Sequence, residues 1–229
     1  MDKIFKYFTK FEIGLWIVSI SMIVISFLIF DKESYLVLIA SIIGATFLIF
    51  NAKGNPIGQF LTVVFSVLYA IISYSFSYYG EMITYMGMTM PMACIALVSW
   101  IKNPYKNNKT EVKVNKISKM EFIFMSFLTI LVTIIFYFIL DFFNTTNLIP
   151  STLSVTTSFL AAYLTFRRSP YFALAYATND LVLIILWLLA SIEDKTYLSV
   201  VICFVVFFVN DMYGFVNWKK IEKRQKDNM

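Results

Sequence analysis

Residues 54–80 read GNPIGQFLTVVFSVLYAIISYSFSYYG, a run without one charged side chain. At about 1.5 Å per helical residue it reaches about 40 Å, more than the ~30 Å hydrocarbon core of a bilayer. Similar neutral runs occupy 13–30, 34–52, 82–101, 122–140 and 142–166. Over the 229 residues, 59% are hydrophobic and only 14% charged, well short of the ~25% charge of soluble domains. The chain therefore reads as an all-α integral membrane protein.

Composition also excludes chemistry. There is no histidine, so imidazole catalysis and His-ligated metals are out. Cys94 and Cys203 both fall in apolar runs, which leaves neither a zinc knuckle nor a disulfide framework and reads as buried packing. No G-x-x-x-x-G-K-[ST] loop occurs, so ATP is not hydrolysed on this chain. No nucleophile–base pair or cluster of carboxylates suggests an enzyme, and no cofactor is expected.

Two further apolar patterns, each broken by one aspartate (Asp180 and Asp211), complete eight predicted spans at 12–30, 34–51, 57–79, 82–101, 120–141, 149–166, 170–191 and 196–218. The first is read as a helix rather than a signal peptide, because it is long and no small-x-small cleavage site follows. Seventeen basic residues, from Lys3, Lys6, Lys10 and Lys53 through the 102–119 loop, Arg167, Arg168 and the 219–226 tail, fall on one side; Lys32 and Lys195 remain for the other. The positive-inside rule then places both termini on the cytoplasmic side of the membrane. The net charge of +5 is accounted for by lipid headgroups, without nucleic acid.

Pro56 to Trp100 resembles Pro170 to Trp218: a proline after a short basic loop, two helices, then tryptophan followed closely by lysine. This predicts a single membrane domain over 1–229: an N-terminal helix (12–30), a triple-helix repeat (34–101), a linker helix (120–141), a second triplet (149–218) and a basic cytoplasmic tail (219–229). Because one linking helix restores the orientation that three crossings reverse, the 3+1+3 repeats run parallel, a SWEET-like layout that in small carriers puts the solute site at the repeat interface.

Asp180 falls near the bilayer midplane and Asp211 about 10 Å from the end of the last span. Each follows an asparagine, Asn179 and Asn210. A carboxylate there costs roughly 2.5–3.5 kcal/mol on insertion scales, so these residues either face a polar cavity or lock two helices through Asp–Asn bonds. Asn210, Gly214 and Asn217, flanked by Asp211 and Trp218, form one stripe; Tyr176, Asn179, Asp180, Leu183 and Trp187 form another; Gln59, Thr62, Ser66, Tyr69, Ser73 and Ser77 form a third. Each stripe suits either a polar pathway or close helix packing. Pro91, amid Met82, Met86, Met88, Met90 and Met92, predicts a kink in span four. Trp100 and Trp218, just before lysines, suit an aromatic belt, and Trp218 suits solute binding equally. With no Lys, Arg or His inside a span, a phosphorylated solute finds no counter-charge; a neutral or cationic ring bearing hydroxyls fits better.

The run Asn210-Asp211-Met212-Tyr213-Gly214-Phe215-Val216-Asn217-Trp218-Lys219, the Gly80–Thr89 run opening span four, and Asn179 resemble the PnuC family of bacterial vitamin transporters. The resemblance covers about 34–220. It implies uptake of nicotinamide riboside across a bacterial plasma membrane by facilitated diffusion, with the ring held among tryptophans, asparagine or glutamine on the carboxamide and ribose, and trapping by a cytoplasmic kinase. Asn179, Tyr213, Gly214 and Trp218 match the pattern; span four, ending Ile95-Ala96-Leu97-Val98-Ser99-Trp100, lacks the Tyr-Gly pair. The candidate site is Asn179, Asp180, Trp187, Asn210, Asp211, Tyr213, Gly214, Asn217 and Trp218, with Gln59, Thr62 and Trp100 from the first half. Thiamine or riboflavin, proton coupling through Asp180 or Asp211, a membrane enzyme and a scaffold subunit stand as alternatives. The partners expected are a vitamin solute and the lipid bilayer, and a homo-oligomer is compatible.

Overall fold

The computed structural model describes residues 7–75 and 79–228; Lys3, Lys6 and Ser77 lie outside the described residues. Among the described residues, eight helices long and apolar enough to cross a membrane follow the predicted order. They are α1 (Lys10–Phe30), α2 (Tyr35–Ala52), α3 (Pro56–Ser75), α4 (Tyr79–Lys102), α5 (Lys119–Phe142), α6 (Leu148–Phe166), α7 (Phe172–Glu193) and α8 (Leu198–Asp227). Local chemistry sets the starts. Thr9 caps α1 in a capping box with Glu12, Ser118 accepts from the Glu121 amide to start α5, and Pro56 opens α3 where its missing N–H is not needed.

Six helices form a closed ring. Within it α2 packs on α3, α3 on α4, α4 on α6, α6 on α7, α7 on α8, and α8 back on α2. Outside the ring, α1 covers the α8/α2 seam, while α5 covers α6 and the start of α4. The outer face of α5, with Phe122, Ile123, Phe127, Ile130, Ile134 and Phe138, is exposed. So wide an apolar surface on a helix of this length is a lipid face.

Three features depart from the sequence expectation. The basic 102–119 loop contains a two-stranded antiparallel hairpin, β1 (Pro104–Tyr105) and β2 (Asn108–Val112). It docks on the bundle as the Val112 amide reaches the Gly54 carbonyl and the Asn115 amide the Arg168 carbonyl. The tail after 218 stays helical to Asp227, tied by Lys219 and Lys226 to Glu222 and by Gln225 to the hairpin. In α4 the disturbance from Pro91 appears one turn early, as a π-helical segment Tyr85–Thr89 in which the Met90 amide reaches back to Tyr85. One extra residue in that turn accommodates the proline, and such bulges recur at functional sites.

Candidate functional site

At the centre of the ring lies a cavity of about 60 Å³. It holds about two waters at their liquid volume, against the ~300 Å³ or more of a ligand pocket. A nucleoside-sized guest therefore enters only as helices move apart. On one side its wall is aromatic: the rings of Phe47, Phe65 and Phe207 pack edge-on at 5.4–6.1 Å, and Tyr85 comes from the π segment. The other side is polar, with Asn51, Thr62, Ser158, Asn179, Asp180 and Asp211.

Two of these amides are held alike. The Asn179 carbonyl oxygen accepts from Ser154 Oγ at 3.2 Å and Thr157 Oγ1 at 2.8 Å on α6. The Asn51 side-chain oxygen accepts from Gln59 Nε2 at 2.8 Å. Each arrangement fixes the side chain and leaves the NH₂ group as the hydrogen-bonding edge. Between them, Asp180 of α7 and Asp211 of α8 are 4% and 5% exposed and lie side by side on the cavity wall. Asp180 Oδ2 is buried with no further partner. Hydrogen-bond donors, acceptors and two carboxyl groups thus converge beside aromatic faces. Among the described residues no group of three or more Cys, Asp or Glu is placed to hold a metal.

The predicted site residues divide accordingly. Asn179, Asp180, Asp211 and Thr62 line the cavity, and Gln59 supports it through Asn51. The α8 stripe splits, because successive helical positions point about 100° apart: Asp211 faces inward while Asn210 donates to Ser19 of α1. Tyr213 donates to Glu12 of α1, Gly214 lies against Ala173 and Ala52, and Asn217 donates to the Ala52 carbonyl. Trp100 and Trp218 are wholly buried, not in a lipid belt. Their indoles lie 5.4 Å apart and donate to the carbonyls of Thr165 and Asn51. Among the described residues no tryptophan lines the cavity. Asn51, Tyr85 and Ser158 were not anticipated; only the lone amide ending an apolar run marked Asn51.

A model of the family described as nicotinamide mononucleotide transporter matches residues 34–220. The chain belongs to this transporter family. It is 25% identical over 227 residues to the nicotinamide riboside transporter PnuC of Neisseria mucosa, covering 97% of this chain and 86% of the relative. Its fold matches the crystal structure of the vitamin B3 transporter PnuC with a TM-score of 0.81 at 22% identity, covering 95% of this chain and 94% of the other. This chain is thus a multi-pass membrane transporter and not an enzyme.

The two ends of the transporter differ. At the hairpin end, Trp100, Trp218 and Phe172 form an aromatic plug, and the Glu12–Lys53 and Glu121–Arg167 pairs brace it. Burial and the neighbouring Arg167 hold Arg168 below the usual arginine range; it donates to Ser99 Oγ and the Lys113 carbonyl. At the opposite end two vestibules of about 310 and 290 Å³ open. Both are lined by Trp187 and Tyr197, whose rings lie 5.3 Å apart. Glu81 and Glu193 line the first, and Asp31, Glu33 and Asp194 the second; among the described residues no Lys or Arg lines either. The Thr196 backbone amide holds Asp194 below the usual carboxylate range.

Proposed function

We propose that this transporter carries nicotinamide riboside by facilitated diffusion, and that a cytoplasmic kinase traps the product. The observation that carries the reading is the uncompensated carboxyl pair, Asp180 and Asp211, between two oriented amides in the ring cavity. Nicotinamide riboside offers a cationic pyridinium to the carboxyls and aromatic walls, and a carboxamide and ribose hydroxyls to Asn51 and Asn179. A mononucleotide adds a phosphate, for which neither the cavity nor the vestibules supply a cation. Thiamine, also cationic, is the second reading; neutral riboflavin would leave the carboxyls unanswered.

The two halves are read as parallel repeats. Ser99 and Trp100 donate to the carbonyls of Phe166 and Thr165, and Asn217 and Trp218 donate to those of Ala52 and Asn51. Gly54 and Arg168, both left-handed at φ 66° and 57°, offer their carbonyls to the hairpin strand and the segment after it. The pairs Asn51/Thr165, Ala52/Phe166, Gly54/Arg168 and Pro56/Pro170 keep one constant offset. Even the outer helices correspond. Thr9-Lys10-Phe11-Glu12 pairs with Lys53, and Ser118-Lys119-Met120-Glu121 pairs with Arg167. In this reading α1 is the counterpart of α5 and the repeat unit has four helices. Both termini and the hairpin end face the cytoplasm, so the acidic vestibules face outward and gather cations.

Uptake of labelled nicotinamide riboside into proteoliposomes tests the function. Saturable uptake without ATP or an ion gradient is expected, and Asn179→Ala should weaken it about tenfold or more, as for a lost buried hydrogen-bonding group. Uptake untouched by Asn179→Ala and Asp180→Asn would remove the site.

A further inference from the structure

The vestibule of about 310 Å³ lies between the start of α4, the loop after α5 and the end of α7, and unlike the ring cavity it has the volume of a ligand pocket. Its neighbour of about 290 Å³ is its counterpart in the other half of the chain. Tyr79 and Glu81 correspond to Tyr197 and Ser199 at the offset that relates Trp100 to Trp218. Ser151, Leu186 and Trp187 correspond to Val37, Ile72 and Ser73 at the offset that relates Thr165 to Asn51. In every pair the first residue lines the larger vestibule and the second lines the smaller one. The two copies have diverged in chemistry: the larger has a carboxylate where the smaller has Ser199, and an indole where the smaller has Ser73. The acids of the smaller vestibule are engaged in turns, Asp31 accepting from the Glu33 and Ser34 amides and Asp194 from the Thr196 amide. Glu81 stands on a helix wall and, among the described residues, joins no ion pair.

We propose that the larger vestibule is a second solute site, where a ring-shaped organic cation rests on Trp187 and Tyr197 with its charge toward Glu81 before it reaches the ring cavity. The two rings meet at 46° with centroids 5.3 Å apart, which makes an aromatic corner whose faces attract a cation. Thr145 Oγ1 is buried in the same vestibule with no hydrogen-bond partner among the described residues, and it supplies a donor and an acceptor for a hydroxyl or carboxamide of the guest. One turn of α4 beyond Glu81, Tyr85 begins the π segment and lines the ring cavity, so the wall of one site is a helical turn from the wall of the other. The guest therefore sheds its water in two stages. This inference rests on the cationic-solute reading of the transporter; it adds a place where the solute is held and requires no ion gradient.

Tryptophan fluorescence of the purified full chain tests it, because a pyridinium touching an excited indole quenches it by accepting an electron. Of the four tryptophans, Trp100 and Trp218 are wholly buried in the plug and Trp16 lies on α1, which leaves Trp187 to report on the vestibule. The probes are nicotinamide riboside, the cationic ring alone as N-methylnicotinamide, and neutral nicotinamide. Saturable quenching by both cations is expected, with neutral nicotinamide about tenfold weaker. Glu81→Gln should raise the Kd of both cations about fivefold, Glu81→Asp should recover part of the loss, and Trp187→Phe should abolish the quench. Asn179→Ala, which alters the ring cavity and not the vestibule, should keep the quench while uptake falls. A Kd unchanged in Glu81→Gln, a neutral ring that binds as tightly as the cationic one, or a quench lost in Asn179→Ala overturns the second site. Uptake into proteoliposomes without any saturable quench overturns it and leaves the transport reading standing. A quench that behaves as expected in a protein that takes up no nicotinamide riboside does the reverse. Because Glu81 is partly exposed and glutamine has its shape, the decisive variant keeps the packing of the parent.

Discussion

Replacing Trp218 with phenylalanine separates closure of the bundle from contact with solute. The indole is wholly buried, lies 4.9 Å from the Phe172 ring and 5.4 Å from Trp100, and donates to the Asn51 carbonyl at 2.7 Å. Phenylalanine keeps a ring in the plug but loses that donor. The carbonyl retains its other bond, from the Gly54 amide at 2.9 Å, so the loss is about 0.5–1.5 kcal/mol. The smaller ring leaves a void worth about 1 kcal/mol more. A total near 2 kcal/mol corresponds to a Tm lower by about 4–8 °C for a chain of this size, and Trp218→Ala, at about 3–5 kcal/mol, should go further. A thiol-reactive dye reporting exposure of buried Cys203 follows unfolding, and calorimetry gives the Kd for nicotinamide riboside. The phenylalanine variant should bind within about threefold of the parent, because Trp218 does not line the cavity. An unchanged Tm together with a Kd raised more than tenfold would show that the indole meets the solute directly, and this account of α8 would be wrong.

Two other substitutions probe the supports of the site. A Cβ on Gly58 would stand 2.2 Å from Asn51 Oδ1 and 2.7 Å from its backbone nitrogen; because backbone cannot yield, Gly58→Ala should destabilise by about 1–3 kcal/mol and raise the Kd by displacing the Asn51 amide. Glu12→Gln strips the partner from Lys53, in a pair whose side chains are only 2% and 17% exposed, and should cost about 2–3 kcal/mol. Glu121→Gln acts on a pair with 17% and 32% exposure and should cost about 1 kcal/mol or less in the same thermal assay. Equal losses for the two would contradict the burial difference.

Helix number and order were legible because a span needs little more than a long neutral run, and the structure differs from the predicted limits by only a few residues at most ends. The inward face of α7 was legible too, since helical spacing put Tyr176, Asn179, Asp180 and Leu183 on one side and all four line the cavity. Helix α8 was harder to read. Its polar residues serve three different neighbours, α1 (Asn210, Tyr213), α2 (Asn217) and the ring interior (Asp211), and a stripe drawn from spacing alone merges them. What spacing cannot carry is the partner. Trp218 before a lysine has the sequence signature of a belt residue, and nothing in the chain announces that its N–H ends on a backbone carbonyl of α2. Backbone acceptors have no residue type, so side chains that answer them stay invisible until the helices are placed. The same holds for Asn51, whose amide matters only because α3 brings Gln59 against it. A buried carboxylate is the opposite case. Its insertion cost singled out Asp180 and Asp211 in the sequence, either for a polar cavity or for a helix–helix lock, and the structure puts both on the cavity wall. That α7 and α8 bring the two to the wall of one cavity is a matter of helix placement, which no pattern predicted.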